Sequence, residues 1–149
     1  MAFQYKLEAL RKYRQLQEDH LQKELFDSQR IMETAKIVLE GYIAKRSQCE
    51  ETFRQQLKNG ASASETAMYP GYLQRLTESI SAQSIEVQKA EKICEQIRCA
   101  LMEAMKKRKM LDRLKEKGEQ AFYADMNSRE QKFISEMAIS RFTLNSLKE

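Results

Sequence analysis

The chain has few of the residues that punctuate or fold a compact globular protein. Its 149 residues include four Gly, one Pro and no Trp. Scarce breakers mean few turns. No period-two run of β-branched residues occurs, and no Asn-Gly or Asp-Gly joins such runs, which argues against hairpins and sheets. His20 is the single His. A general base needs a cleft and an oriented partner, so a lone His excludes the common dyads and triads and reads as a helix-surface residue. No Gly-x-x-x-x-Gly-Lys-Ser/Thr phosphate loop is present. The three cysteines, Cys49, Cys94 and Cys99, are an odd number. Cys94 and Cys99 stand five apart on one helix and cannot present a metal jointly. Free thiols near an apolar seam are expected, not a disulfide framework or zinc site. No 18-residue apolar run occurs, so no transmembrane helix is expected. The start lacks the apolar segment of a signal peptide, and the chain is expected to be cytosolic.

Charge is plentiful but mixed. Charged residues make up 32% of the chain, and the net charge is only +4. Nucleic-acid binders usually gather Lys and Arg on one face, and interleaved signs do not imply one.

What the chain does have is apolar periodicity. From Leu21 the residues Leu25, Ser28, Met32, Ala35, Leu39, Tyr42, Arg46, Cys49 and Phe53 follow in alternating steps of four and three. This is a heptad repeat with apolar or small residues at most a and d positions. A period of 3.5 keeps the stripe from drifting around the helix, so a second helix can follow it. A matching stripe occurs later: Leu73, Leu76, Ile80, Gln83, Val87, Ala90, Cys94, Ile97, Leu101, Ala104, Arg108 and Leu111. Mirrored about the loop, the stripes set Phe53 against Leu73, Leu39 against Val87, Ala35 against Ala90, Met32 against Cys94, and Leu25 against Leu101. The expected fold is all-α: a single elongated domain over 1–149, a long antiparallel two-helix coiled-coil hairpin whose second helix is longer than its first.

The first helix is expected over 3–58, with Phe3, Leu7, Leu10, Arg14, Gln17 and Leu21 as its early seam. One extra step of four between Leu21 and Leu25 reads as a stutter. Asn59 and Gly60 supply a stop. A small polar loop is expected over 59–67, where Ser62 and Glu65 have capping-box spacing. Pro70 fits only a first turn, so the second helix is expected over 68–145. The mirrored register puts Gly118 near Leu7 and Met1 near Tyr123. Polar seam residues Arg46, Gln83, Arg108 and Lys115 fix register at a cost in stability, and fraying is expected beyond the stutter and after Gly118. The segment after Tyr123 then has no partner. It carries Met126, Phe133, Ile134, Met137, Ile139, Phe142, Leu144 and Leu147, and so many exposed apolar side chains imply another protein.

Two further stretches stand out. Lys106-Lys107-Arg108-Lys109 is a basic run, either a solvated face or a patch for an acidic protein surface or anionic lipid. No aromatic residue interleaves it, which disfavours nucleic acid. Tyr72 and Leu76 lie one turn apart at the start of the second helix. Leu76 belongs to the seam, while Tyr72 and Ser79 flank it and could form an outward patch with Gln83.

Three segments resemble the FliJ family, the small coiled-coil component of the bacterial flagellar type III export apparatus. The opening run from Phe3-Gln4-Tyr5-Lys6-Leu7-Glu8 to Arg14 is similar to the family's aromatic-x-aromatic-basic-Leu-Glu start. Tyr69, Tyr72, Leu73 and Leu76 look like its Tyr-x-x-aromatic-hydrophobic-x-x-Leu. The run Arg129-Glu130-Gln131-Lys132-Phe133-Ile134-Ser135-Glu136 is similar to its Arg-x-Glu-Gln-Lys-x-hydrophobic-Asp-Glu block, with Ser135 in place of Asp.

The resemblance implies a stalk, not an enzyme, with no cofactor and no metal. FliJ-like proteins resemble the central stalk of rotary ATP synthases. Their paired termini are implied to enter the export ATPase, a FliI-like hexamer. Here that implies Phe3, Leu7, Arg129, Gln131, Lys132, Phe133 and Met137. A patch on the second helix is implied to bind the FlhA-like export gate, which carries over to Tyr72, Leu76, Ser79 and Gln83. A FliH-like ATPase regulator and export chaperones are further implied partners, with a location peripheral to the inner face of the cell membrane. The alternatives are a virulence injectisome stalk, a generic cytoplasmic coiled-coil interaction protein that self-associates, and a membrane-surface or nucleic-acid binder using the basic run.

Overall fold

The structure, a computed structural model, describes residues 2–148. Among these residues there is no strand. Two long helices hold nearly all of the chain: α1 over Glu8–Lys58 and α3 over Met68–Lys148, with the short α2 over Ala63–Thr66 between them. The chain divides into two compact units, Asp19–Glu103 and Met1–Glu18 with Ala104–Glu149.

In the unit of residues 19–103, burial follows the seam. Along α1 the side chains at Leu21, Leu25, Ser28, Met32, Ala35, Leu39, Tyr42, Arg46, Cys49 and Phe53 are buried or half-buried. Along α3 the same holds for Leu73, Leu76, Ile80, Gln83, Val87, Ala90, Cys94, Ile97 and Leu101. The apolar side chains with least exposure here are Cys49, Leu76 and Val87, and no side chain is fully enclosed. Two helices alone cannot surround a residue, so each burial contributes less than the roughly 1.5–3 kcal/mol of a full one.

Cross-helix partners run in opposite directions along α1 and α3. Phe53 packs tilted against Tyr69 with ring centroids 5.2 Å apart. Gln83 Nε2 donates to the Ala35 carbonyl at 3.0 Å, and Lys36 lies 3.7 Å from Glu91. Phe53 thus meets the ring of Tyr69, one turn before the seam residue Leu73 on α3.

The turn between the helices is built from local chemistry. Gly60 adopts φ +79, which only Gly takes without strain. The Ala61 amide then reaches the Gln56 carbonyl at 3.0 Å and the Gly60 amide reaches Leu57 at 3.2 Å, the paired bonds of a Schellman stop. Ser62 and Glu65 form the reciprocal capping box, with Ser62 Oγ accepting from the Glu65 amide and the Glu65 carboxylate accepting from the Ser62 amide, each at 3.3 Å. The box opens the single turn of α2 instead of the long helix. Helix α3 begins two residues after α2 and holds Pro70 in its first turn.

In the other unit the N-terminal segment departs from the expected geometry. Residues 2–7 are not helical, and α1 begins at Glu8, five residues later than expected. The Glu8 amide bonds the Tyr5 carbonyl at 3.2 Å. Residues 2–7 instead lie against α3. Tyr5 donates its hydroxyl to the Leu111 carbonyl at 3.0 Å, and the Phe3 ring packs tilted against Phe122 with centroids 5.7 Å apart.

Gly118 therefore meets Phe3, not Leu7. A Cβ at Gly118 would lie 3.1 Å from Phe3 Cζ. The pairing expected for Met1 lies outside the described residues. Leu7 and Leu10 are exposed, at 41% and 39%, and the half-buried row is Glu8, Arg11, Arg14, Gln15 and Gln17, with Glu18 buried. Gln17, Leu21 and Leu25, the residues of the expected stutter, are all half-buried, and Glu18 beside Gln17 is buried. An apolar search cannot see a seam made of charges.

Candidate functional site

Two surfaces correspond to the residues singled out in the sequence, one in each unit. The first surrounds the start of α3. Tyr72 is exposed at 44%, Leu76 is buried at 6%, and Ser79 and Gln83 are half-buried. Gln83 points inward, engaged with the Ala35 carbonyl. Only Tyr72 of the four therefore presents a large free face. Leu76 acts from beneath as packing, and Ser79 lies at the margin of the seam.

The structure adds α1 residues to this surface. A groove of about 470 Å³ is lined by Lys45, Gln48, Cys49 and Thr52 from α1 and by Met68, Tyr69 and Tyr72 from α3. Met68 is 70% exposed. The sequence offers Tyr69 and Tyr72 through their aromatic spacing. It gives no signal for Lys45, Gln48 or Thr52, since they are ordinary flanking positions until α3 packs beside them.

The second surface is the end of α3. Every described residue from Asn127 to Lys148 is exposed, about 33 Å of helix at 1.5 Å per residue. Arg129, Gln131, Lys132, Phe133 and Met137 all lie here, with Phe133 at 63% exposure. Arg129 pairs with Asp125 one turn back at 3.2 Å. Met126, Phe133, Met137, Leu144 and Leu147 fall on one stripe of the helix, since steps of seven and three or four return to the same face. Phe3 sits on Gly118 and Phe122, before this segment begins, and Leu7 is exposed. The contacts of Phe3 thus lie with α3 residues 118–122, not with Arg129 to Met137.

Between Glu8 and Lys115 the same unit is held by an unbroken alternation of charge. Lys115 Nζ lies 3.4 Å from Glu8, Glu8 accepts from Arg11 at 2.7 Å, and Arg11 reaches Asp112 at 3.4 Å. Asp112 accepts from Arg108 at 2.7 Å, and Arg108 in turn bonds Glu18. The Arg11 guanidinium, helped by Lys115 and opposed by partial desolvation, holds the Glu8 carboxyl at about 2, well below its ordinary 4.5. The hydrogen bond to Glu18, with Asp112 adding to it, keeps the Arg108 guanidinium more firmly charged than usual. These groups are consumed by each other, which suits fastening a chain end and not moving protons.

The remaining candidates have structural roles. His20 Nε2 faces Glu24 at 2.9 Å on an exposed turn. The thiols are free: Cys49 buried, Cys94 half-buried and Cys99 exposed. Among the described residues no group of three or more His, Cys, Asp or Glu could hold a metal ion. No helix is long and apolar enough to cross a membrane among them.

The family model described as flagellar FliJ protein matches residues 3–146. No curated protein and no solved structure matches the chain.

Proposed function

The chain belongs to the FliJ family of flagellar proteins, and from that premise we propose that it is a stalk-like coiled coil joining the export ATPase ring to the export gate. FliJ family members are not enzymes, and their general role is in flagellar protein export. The finer reading rests on one observation: the last helical segment, 127–148, is exposed along its whole length while carrying an apolar stripe. An uncovered stripe of that kind is an interaction surface. The ring of a FliI-like ATPase is its proposed recipient, with Arg129, Gln131, Lys132, Phe133 and Met137 inside and Phe3 and Leu7 at the mouth.

The FlhA-like gate is assigned to Tyr72 and its surroundings. The groove beside Tyr72 supports this, because it combines exposed aromatic and thioether surface with the polar rim of Lys45, Gln48 and Thr52, a composition suited to partners that come and go. Leu76, Ser79 and Gln83 continue the proposed patch along α3. A FliH-like regulator and export chaperones are further partners in this reading. The protein works in the cytoplasm and meets the inner face of the membrane through those partners.

The test is capture of the purified ring ATPase by the full chain and by a chain ending at Asn127, which keeps Phe122 and the charge ladder. Full-length capture with at least tenfold weaker binding by the shortened chain is expected, and Phe133→Ser with Met137→Ser should reproduce the loss. Equal capture by all three chains removes the end of α3 from the interface.

A further inference from the structure

The basic run is only one edge of a more organised surface. In the unit of residues 2–18 and 104–148, the buried and half-buried α3 residues are Ala104, Met105, Arg108, Leu111, Asp112, Lys115, Gly118, Glu119, Phe122 and Met126. About half a turn away at 100° per residue, Lys106, Lys109, Met110, Arg113, Leu114 and Lys117 line a single exposed face. Arg108 from the run is turned inward to Glu18 and Asp112, so it does not belong to this face. Asp112 is likewise turned toward Arg108 and Arg11. The six lining residues include four cations, two apolar side chains and no carboxylate.

We propose that this face of α3 binds an anionic lipid surface directly. Charge complementarity demands an anionic occupant. The arrangement favours a bilayer because all six lining residues come from α3, with no second element among the described residues to wall a groove for a peptide. Met110 is 64% and Leu114 47% exposed, between the cations. This is the pattern of a helix lying in the headgroup plane: short apolar side chains enter the acyl boundary while Lys and Arg stems reach outward to phosphates. No aromatic lines the face, so stacking on single-stranded nucleic acid has no platform. The contact is independent of the protein partners assigned above and does not rest on them.

The test is co-sedimentation of the full chain with vesicles of mixed phosphatidylglycerol and phosphatidylethanolamine, against phosphatidylcholine alone. Each Lys or Arg near an anionic surface contributes about a fivefold change in partitioning. Lys109→Gln, Arg113→Gln and Lys117→Gln together should weaken binding to the anionic vesicles about 100-fold. Lys23→Gln, Lys58→Gln and Lys92→Gln remove the same charge from the other unit and should cost less than tenfold. Met110→Ser with Leu114→Ser should weaken binding without changing its dependence on salt, and circular dichroism should show α3 intact in every variant. Three results each overturn the proposal: no binding to anionic vesicles at low salt, equal losses from the two triple variants, or capture of an acidic peptide through this face with vesicles left unbound.

Discussion

Arg108 bonds the carboxylate of Glu18, a side chain only 4% exposed. Their sequence positions are 90 apart, one on each long helix. Through Asp112 this pair is joined to Arg11, Glu8 and Lys115, so that a continuous alternation of charge fastens the start of α1 to α3. The ladder takes the place that an apolar seam fills elsewhere in the chain.

Removing one member should cost more than removing both. Arg108→Met leaves the Glu18 carboxylate buried without its partner. Breaking a fully buried pair costs roughly 3–5 kcal/mol; with Arg108 still 21% exposed, about 2–3 kcal/mol is expected, by the same reasoning discounted for solvent. Adding Glu18→Leu should recover most of that loss. Urea unfolding of the two single variants and the double variant gives the coupling. Additive effects would mean the pair contributes nothing as a pair.

The ladder also predicts an acid response. Glu8 has its carboxyl lowered to about 2 in the folded chain against an ordinary 4.5. A depressed carboxylate stabilises the fold fully above its unfolded value. That contribution fades as pH falls below about 4.5 and is gone below about 2. Residues 2–18 should therefore loosen over this window, read as amide signals or proteolysis of the N-terminal segment. Glu8→Gln should flatten the response there, and an unchanged acid profile would place the effect on other carboxylates.

Gly118 leaves room for Phe3. Ala there gains roughly 1 kcal/mol of helix propensity, offset by pushing a Phe3 ring only 3.1 Å from the new Cβ. Phe3 sits in a non-helical segment and can yield, so Gly118→Ala should change stability by less than about 1 kcal/mol. Gly118→Leu cannot be accommodated that way. It should lift Phe3 from Phe122 and expose residues 2–7 to protease, with α3 still helical by circular dichroism. Protection of residues 2–7 in the Leu variant would show that Phe3 is not what holds them.

Hydrogen exchange should separate the end of α3 from the rest. Residues 127–148 extend a helix that is already nucleated, but no side chain there is buried. Most helical stability in proteins comes from packing a face, not from propensity. Amides beyond Met126 should exchange close to the rate of an isolated helix, while those around Leu76, Val87 and Leu111 are slowest. Binding of the ring ATPase should slow the former group selectively. Strong protection beyond Met126 in a dilute free chain would mean that the stripe is already covered.

Composition and period determined most of this protein. Few breakers, no alternating strands and a 3.5-residue apolar repeat dictated two long helices, and the seam from Leu21 to Phe53 and from Leu73 to Leu111 could be listed residue by residue. Asn59-Gly60, Ser62-Glu65 and Pro70 marked the turn because their chemistry acts on neighbouring backbone alone. The start of the chain was different. There Glu8, Arg11 and Glu18 turn inward, and these charges reveal that position only through partners some 90 to 107 residues away. Leu7, Leu10 and Leu16 are exposed apolar residues of that stretch, while the α3 side chains that meet its charges are Arg108, Asp112 and Lys115. The Tyr72 groove was likewise decided by packing, since Lys45, Gln48 and Thr52 acquire meaning only when α3 lies beside them. Local periodicity shows which face of a helix can be buried by apolar contact; the choice of a charged face depends on what another segment offers it.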